Sequence, residues 1–488
     1  MPTDSDLSPR CRRLLALDAV LSGAQYDHLR HAFSDEISGA GEYIPLNNRR
    51  PSVRTNLCRT VVDDSVSLLF SEAHFPTAHA PDARTAEALM AWMKERRLNE
   101  IMADAATRGS VGSVALLLRV LRGKPFVSVL PTATLTPTWD PEDPDSLLSV
   151  TERYKVRGTE LRARGYAIPA DADSASFWFQ RSWDSDSETW YLPISVSDAR
   201  DGKLPAVDAD RTIQHGLGFL PVIWIRNLPG GDEIDGMSTF EPAISTAIEC
   251  DYQLSQAGRG LKYASDPRLV IRDPGTGVDG GSRPITGGAA NAIVLSDPQA
   301  DARFLEINGS AATAVLEYVS RLRSIALESI HGNRADPERL SAAQSGRAME
   351  LLNSGLLNLA DRLRTSYGEG ALLSLYRMLC QASRKIRGGL VIAGERYADL
   401  DETGITLTWQ PWFAPTSHDK AEQASTLRQL VDGGLMSRST ARRQLAGTYD
   451  VDDDHAEADA ISADEAASIA RADTMPAVQT KAAADVES

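Results

Sequence analysis

Three carboxylates cluster between a predicted strand and a predicted helix, at Asp232, Glu233 and Asp235. Neighbouring carboxylates are the groups that general acid–base hydrolysis uses, so one interpretation is a hydrolase site. Charge runs between two elements usually mark exposed loops, and a solvated loop is the interpretation we favour. The sequence alone leaves both open.

Other patterns that could support chemistry are incomplete. The glycines from Gly275 to Gly280 have the spacing of a phosphate-binding loop, but Gly281 stands where its lysine should be. The acidic run from Asp184 to Glu188 lacks the twelve-residue pattern of a calcium loop and predicts a hairpin turn. His331 is one of eight dispersed histidines, and such a residue is more often a surface or packing residue than a base. We therefore expect no catalytic residue, no metal site and no cofactor.

The charge of the chain argues against tight binding of nucleic acid. The formal net charge is -16, and residues 450–488 carry eleven acidic against two basic side chains. We expect this end to be a solvated, partly disordered appendage. Because phosphates are bound by Lys and Arg, an acidic chain is a poor candidate for grasping nucleic acid, but it is compatible with a surface past which DNA slides without sticking.

Cysteine spacing and hydropathy indicate the compartment. Cys11, Cys58, Cys250 and Cys380 are scattered without a metal-binding spacing, which predicts a reduced intracellular setting. The first thirteen residues lack the apolar stretch of a signal peptide, and no uncharged run is long enough to span a membrane.

The carboxylate cluster lies just before a predicted helix. A strand from Gly218 to Asn227 leads through the acidic loop to Ser238, where Ser238 to Glu241 forms a capping box. The helix that follows, to about Ala264, is rich in small residues, which permit close approach of neighbouring helices. Short strands and glycines from Pro267 to Asn308 then predict a small module inserted before a second helix, Ala312 to Ile330.

The longest predicted element runs from Ser341 to Lys385. Apolar residues recur every three or four positions, which predicts one helix about twice the span of a small domain. Such a helix would be a spine against which several separate pieces of chain pack, outside any single core. Two ordinary helices broken near Gly368 and Gly370 are the alternative.

Shorter elements are predicted elsewhere. The following ranges have helical patterns: Leu14 to Phe33, Asn56 to Leu69, Ala83 to Gly109 as two helices, Lys420 to Val431 and Ser437 to Leu445. The following ranges have strand patterns: Val114 to Leu121, Phe126 to Leu130, Phe177 to Trp183, Trp190 to Val196 and Ile405 to Trp409.

Four segments in this order resemble the portal proteins of tailed double-stranded DNA bacteriophages of the siphovirus type. They are Asn56 to Asp63, Phe219 to Asn227 followed by Gly236-Met237-Ser238, Ser345 to Met349, and Trp409 to Pro415 with Gly434 to Ser437. Each is weak alone, and together they span residues 50 to 450.

The resemblance implies a fold class and a division of the chain. The subunit would be α+β and mainly helical, with a long spine helix, and would assemble as a ring. The implied parts are a wing (1–237), a first stem helix (238–264), a small α/β clip (265–308), a second stem helix (309–330), a tunnel loop (331–340), the spine helix with a wing strand (341–416), and a helical crown with the acidic tail (417–488).

The resemblance also implies a function. The ring, generally of twelve subunits, would sit at one capsid vertex of the virion after assembly in the host cytoplasm, and duplex DNA would pass through it non-specifically during packaging and ejection. Implied partners are the terminase large subunit, a head–tail adaptor, and the major capsid and scaffold proteins, with no membrane.

The implied site residues fall into two groups. Candidates for the DNA-facing tunnel loop are His331, Asn333, Arg334 and Arg339. Candidates for packing between stem helices of neighbouring subunits are Ala247, Ser255, Gly258, Val315, Val319 and Leu322. The rival hypotheses are a non-ring capsid or adaptor protein and an enzyme that uses the carboxylate cluster.

Overall fold

The computed structural model describes residues 7–265, 268–272, 301–305, 310–332, 353–412, 417–446 and 454–473. These residues divide into two compact units, one holding the described residues up to 410 and the other those from 411 onward. The first unit contains both helices and strands, and all the regular structure described in the second unit is α-helical.

Helices make up most of the regular structure in the described residues. In chain order they are α1 Pro9–Leu21, α2 Leu57–Phe70, α3 Ala83–Arg96, α4 Leu98–Gly109, α5 Gly158–Ala163, α6 Val196–Arg200, α7 Ile244–Ser265, α8 Ser310–Ser329, α9 in three consecutive parts (Ser354–Leu363, Arg364–Leu372, Leu373–Lys385), α10 Ser417–Asp432, α11 Arg438–Ala446 and α12 Asp454–Asp473.

The strands are short and belong to several small sheets. They are β1 His31–Ala32, β2 Arg49–Arg50, β3 Thr77–His79, β4 Ser113–Leu121, β5 Lys124–Pro131, β6 Leu135–Trp139, β7 Leu147–Arg157, β8 Ser176–Trp183, β9 Ser187–Trp190, β10 Ile194–Ser195, β11 Ile213–Gln214, β12 Val222–Arg226, β13 Arg268–Arg272, β14 Asp301–Leu305, β15 Leu390–Ile392, β16 Glu395–Tyr397 and β17 Thr406–Thr408.

Two sheets carry most of the strand pairing. One has the order β12-β4-β5 and the other the order β11-β9-β8-β7-β6, with β10 also paired to β8. The remaining strands form the pairs β1-β2, β13-β14, β15-β16 and β17-β3.

Strand β4 joins two hydrophobic cores. Val114, Leu116 and Leu118 belong to the largest buried cluster, while Ala115 and Leu117 face a smaller cluster that includes residues of the six-stranded sheet. Side chains alternate between the faces of a strand, so the continuous apolar run of β4 is what a strand buried on both faces requires.

The helix predicted from Ser341 to Lys385 is continuous over its described residues, while one part of the spine prediction is wrong. Residues 354–385 form one uninterrupted helix, and the predicted start of the spine lies outside the described residues. Several pieces of chain pack against α9, as expected. However, they form a single continuous core with it rather than separate ones, because α1 to α4 and β4 contribute to the same cluster.

Helix α9 continues through Gly368 and Gly370 instead of breaking there. Its middle part, Arg364–Leu372, is π-helical. Leu363, Tyr367, Ala371 and Leu375 are all buried and lie four residues apart. An α-helix also places residues four apart on one face, so this row of buried side chains continues through the π-helical part.

Two predictions of secondary structure differ in detail from the structure. The N-terminal helix ends at Leu21 and not at Phe33, since Ser22 is its C-cap and Gly23 has a φ of +75°. The strand expected at Trp190 to Val196 is divided between β9, which ends at Trp190, and β10, Ile194–Ser195. Within the acidic appendage, the described residues form helix α12.

Candidate functional site: the paired helices and their attachment

Helices α7 and α8 pack against each other, with the pair β13-β14 between them in the sequence. Helix α8 also contacts the turn Glu241–Ala243, which directly precedes α7, and the buried residues of α8 include Ala326 and Leu327 near its end. The end of one helix therefore lies beside the start of the other, so the two run antiparallel.

The start of α7 uses half of the predicted capping box. Ser238 Oγ accepts hydrogen bonds from the backbone N–H groups of Phe240 and Glu241, both at 3.3 Å. The Glu241 carboxylate does not accept a hydrogen bond from the Ser238 backbone N–H, which is the other half of a capping box. It pairs with Arg13 of α1 at 2.7 Å and thereby ties the helix start to the N-terminal helix.

A buried amide fixes the same helix start to α9. Asn227 is fully buried, and its Nδ2 donates to the Met237 carbonyl and to Thr239 Oγ1, both at 2.9 Å. Its Oδ1 accepts from the hydroxyl of Tyr367 at 3.0 Å. Burial raises the pKa of Tyr367 above its ordinary value, so the phenol stays protonated and can donate.

Gly236 allows the chain to approach this amide closely. A Cβ at that position would lie 2.6 Å from the Leu228 carbonyl oxygen and 2.7 Å from the Asn227 nitrogen. The Asn227 and Gly236-Met237-Ser238 motifs are therefore structural. They hold the start of α7 against the core.

Further along α7, Asp251 anchors the segment before α2. Its buried carboxylate accepts from the Tyr26 hydroxyl at 2.9 Å, and from Thr55 through the backbone N–H at 2.9 Å and the hydroxyl at 2.8 Å. Burial and the Asp251 charge raise the pKa of Tyr26.

A second residue of α7 contributes to the same attachment. The Ser255 hydroxyl oxygen accepts a hydrogen bond from the Val53 backbone N–H at 3.0 Å. Nothing local in the sequence indicates this anchor, because its partners are about 200 residues away.

The carboxylate cluster is not assembled as a hydrolase site, and the solvated-loop interpretation is wrong for one member. Asp232 and Glu233 are exposed, but Asp235 is buried. Asp235 forms a two-pronged ion pair with Arg10, at 2.6 Å from Nε and 2.8 Å from Nη2, and accepts a hydrogen bond from Ser113. Both of its oxygens are engaged in holding α1 to the loop before α7.

The predicted stem-packing residues fall into two groups. Ala247, Ser255 and Val319 are already buried within the described subunit, whereas Gly258, Val315 and Leu322 are half-buried. The second group remains accessible to another molecule. Contact between subunits stays a prediction for all six.

Only His331 of the predicted tunnel-loop residues can be placed. It follows α8, is exposed, and has a left-handed φ of 56°. The next residue, Gly332, is buried, and a Cβ there would lie 2.7 Å from Leu327 and 2.8 Å from Val61. Asn333, Arg334 and Arg339 lie outside the described residues, as does the phosphate-loop-like stretch from Gly275 to Gly281.

The described part of the chain lacks two kinds of feature. No group of three or more His, Cys, Asp or Glu side chains in that part could hold a metal ion. None of its helices is long and apolar enough to cross a membrane.

Comparison with protein families identifies the chain. The family described as phage portal protein, SPP1 Gp6-like, matches residues 22–470. The chain belongs to this portal family. The portal family is structural rather than enzymatic. A comparison with curated proteins finds no match.

Solved structures similar to this portal protein include two from gene transfer agent particles. One is from "Neck of empty GTA particle computed with C6 symmetry", with 13% identity, a TM-score of 0.42, and coverage of 80% of this chain and 88% of that chain. The other is from "Virion of native gene transfer agent (GTA) particle", with 12% identity, a TM-score of 0.38 and the same coverage.

Proposed function

We propose that the chain is one subunit of a ring, of twelve copies in keeping with the portal family, that forms a channel for double-stranded DNA at one capsid vertex. The observation that carries the proposal is the family match, which covers nearly the whole chain. The antiparallel pair α7 and α8, interrupted by the strand pair β13-β14, supports its assignment as stem and clip. The ring would form in the host cytoplasm and become part of the virion.

The proposed role is structural and gives the ring several partners. DNA would pass through during packaging and ejection, with energy supplied by the terminase large subunit, since we propose no enzymatic activity for this chain. A head–tail adaptor would dock on the completed ring, and the major capsid and scaffold proteins would surround it. An enzymatic role for Asp235 is not favoured, because its carboxylate is buried in an ion pair.

The face of α8 that is turned away from the core offers a surface for a neighbouring subunit. Val315, Tyr318, Leu322 and Ile325 recur at three- and four-residue spacing, which places them in one stripe along the helix. Tyr318 is 50% exposed and Ile325 is 46% exposed within the described subunit. A second copy in a head-to-tail ring would cover this stripe with its own stem, where the half-buried Gly258 permits close approach.

A charge placed in the stripe should prevent assembly. We expect the double variant Tyr318→Asp, Ile325→Asp to weaken subunit association by about 100-fold or more, because burying unpaired carboxylates in an apolar contact is costly. Sedimentation velocity of the purified full chain measures the loss of rings directly.

The matched control adds the same charge to the same helix outside the stripe. Ser320 and Ser324 are both exposed, and Ser320→Asp, Ser324→Asp should leave the rings intact. If both double variants assemble like the original protein, the stripe is not an interface. If the rings of both double variants dissociate, the loss of assembly comes from the added negative charge and not from the position of the stripe.

The tunnel-loop assignment has its own test. Replacing Arg334 and Arg339 with Ala should leave the mass of the assembled ring unchanged, because these side chains are proposed to face DNA and not a neighbouring subunit. Instead, the amount of DNA that reconstituted particles package should change. A loss of oligomers would show that this loop is structural.

A further inference from the structure

A groove of about 800 Å³, the α7 groove, lies between α7 and the chain segments 32–34 and 50–54. Phe33 and Pro51 line it and are themselves buried, so its surface is largely apolar. Gly258 lines it from α7, and a Cβ there would meet no described atom within 4 Å. The groove is therefore open beside α7 to a side chain from another molecule.

The α7 groove and helix α8 lie on different sides of α7. Ser255 and Gly258 line the groove. Cys250 and Ala257 are buried on the side turned to α8. Burial raises the pKa of the Cys250 thiol, and the charge of Arg323 in α8 opposes this rise. Because Gly258 follows Ala257 by one position, the groove lies about 100° around α7 from α8, in the direction of the chain.

The exposed stripe on α8 also lies to one side of the contact between the two helices. Val319 and Ala326 of α8 are buried on the contact side. Tyr318 and Ile325 of the stripe each precede one of these residues by one position. The stripe therefore lies about 100° around α8 from α7, against the direction of the chain.

These two positions place the groove and the stripe on opposite faces of the helix pair. The helices run antiparallel, so a rotation forward around α7 and a rotation backward around α8 lead to opposite faces. A ring closed by head-to-tail contacts needs two different surfaces on each subunit that complement each other. The pair of α7 and α8 carries a groove on one face and an apolar ridge on the other.

We propose that the stripe on α8 of one subunit inserts into the α7 groove of the next subunit. The proposal rests on the ring of the proposed function and names the surface that the stripe contacts. Arg323 lies near Cys250 in the antiparallel pair, and Tyr318 and Ser255 are equally far from these two along their helices. Rotation about the ring axis keeps that level, so Tyr318 reaches the next subunit beside Ser255 and its hydrogen-bonded partner Val53.

A second copy of the chain fits the groove better than an anion does. Two of the four basic side chains that line the groove are already paired within the subunit, Arg54 with Asp27 at 3.5 Å and Arg259 with Glu36. The apolar lining instead matches the stripe. Burying exposed apolar side chains against each other favours association.

Cysteine cross-linking tests the proposed contact. The variants Val53→Cys and Tyr318→Cys of the full chain are co-expressed, purified, treated with copper phenanthroline and separated on a non-reducing denaturing gel. The four natural cysteines are buried, so we expect a covalent dimer from the mixture and none from either variant alone. Ser320→Cys is the matched control, because Ser320 is exposed and lies outside the stripe. It should give no dimer with Val53→Cys.

The outcomes separate this contact from the ring itself. A dimer from Tyr318→Cys alone would mean that two stripes face each other, which overturns the head-to-tail contact. Equal cross-linking of Tyr318→Cys and Ser320→Cys would overturn it as well. Rings seen by electron microscopy, with no cross-link from the mixture, would overturn the assignment of the α7 groove and leave the proposed function intact. The absence of both rings and cross-links would contradict both proposals.

A matched pair of glycine variants tests the shape of the groove. Gly258→Leu fills the groove and should weaken subunit association by about tenfold or more, measured by sedimentation velocity. Gly260→Leu is the control, because a Cβ at Gly260 also meets no described atom within 4 Å but the residue does not line the groove. It should leave association within about twofold of the original. Equal effects of the two variants, or no effect of Gly258→Leu, would overturn the proposal.

Discussion

The variant Gly109→Ala should unfold at markedly lower denaturant concentration than the original protein. Gly109 is the last residue of α4, and a Cβ there would lie 2.0 Å from the Tyr367 hydroxyl oxygen and 2.9 Å from Val114 Cγ1. Tyr367 is fully buried and cannot move outward without leaving Asn227. Overpacking and a lost buried hydrogen bond together should cost about 4 kcal/mol of unfolding free energy.

A second glycine and a compensating change serve as controls. Gly260 lies in α7, where a Cβ would meet no described atom within 4 Å, so Gly260→Ala should stabilise the helix by up to about 1 kcal/mol. Adding Tyr367→Phe to Gly109→Ala removes the nearest clashing atom and should recover part of the loss. If Gly109→Ala unfolds like the original protein, the contact of α4 with the π-helical part of α9 is wrong.

The second large effect is expected from Asp235→Asn. The substitution keeps the shape of the side chain but removes the charge that Arg10 pairs with, and it places an amide N–H₂ where an acceptor is needed. Arg10 also donates to the carbonyls of Thr132 and Leu135 at 3.1 and 2.8 Å, so it is not free to turn to solvent. Breaking one side of a buried ion pair should cost about 3 kcal/mol, measured by urea denaturation.

The neighbouring Glu233→Gln is the matched control. Glu233 is exposed, and its neutral variant should stay within about 0.5 kcal/mol of the original. The double variant Arg10→Met, Asp235→Leu should be less destabilised than Asp235→Asn, because removing both charges leaves none uncompensated. If Asp235→Asn matches Glu233→Gln, the ion pair does not hold α1 to the loop before α7.

Regular spacing makes the long helices predictable from the sequence. The apolar positions of α9 repeat over 32 residues between Ser354 and Lys385, and Ser238 marks the approach to α7 through a local hydrogen-bond pattern. The π-helical part has no such local signal, because Leu363, Tyr367, Ala371 and Leu375 are separated by four residues each time, a spacing that an α-helix also places on one face.

Contacts between distant residues are not predictable in the same way. Asp235 groups with Asp232 and Glu233 in the sequence because they are adjacent, but its partner Arg10 is 225 positions away, and no local pattern indicates that pairing. The small residues of α7 likewise suggest contacts with neighbouring subunits. Ser255 instead accepts a hydrogen bond from the Val53 N–H of its own chain, because the segment before α2 packs on that face.

The central claim is that this chain forms a ring with a channel, and electron microscopy of the purified protein tests it most directly. With the mass in solution measured alongside, the account predicts closed rings whose central opening is wide enough for duplex DNA. The Tyr318→Asp, Ile325→Asp variant should show none. A compact monomer that stays single at high concentration and with scaffold protein present would contradict the account.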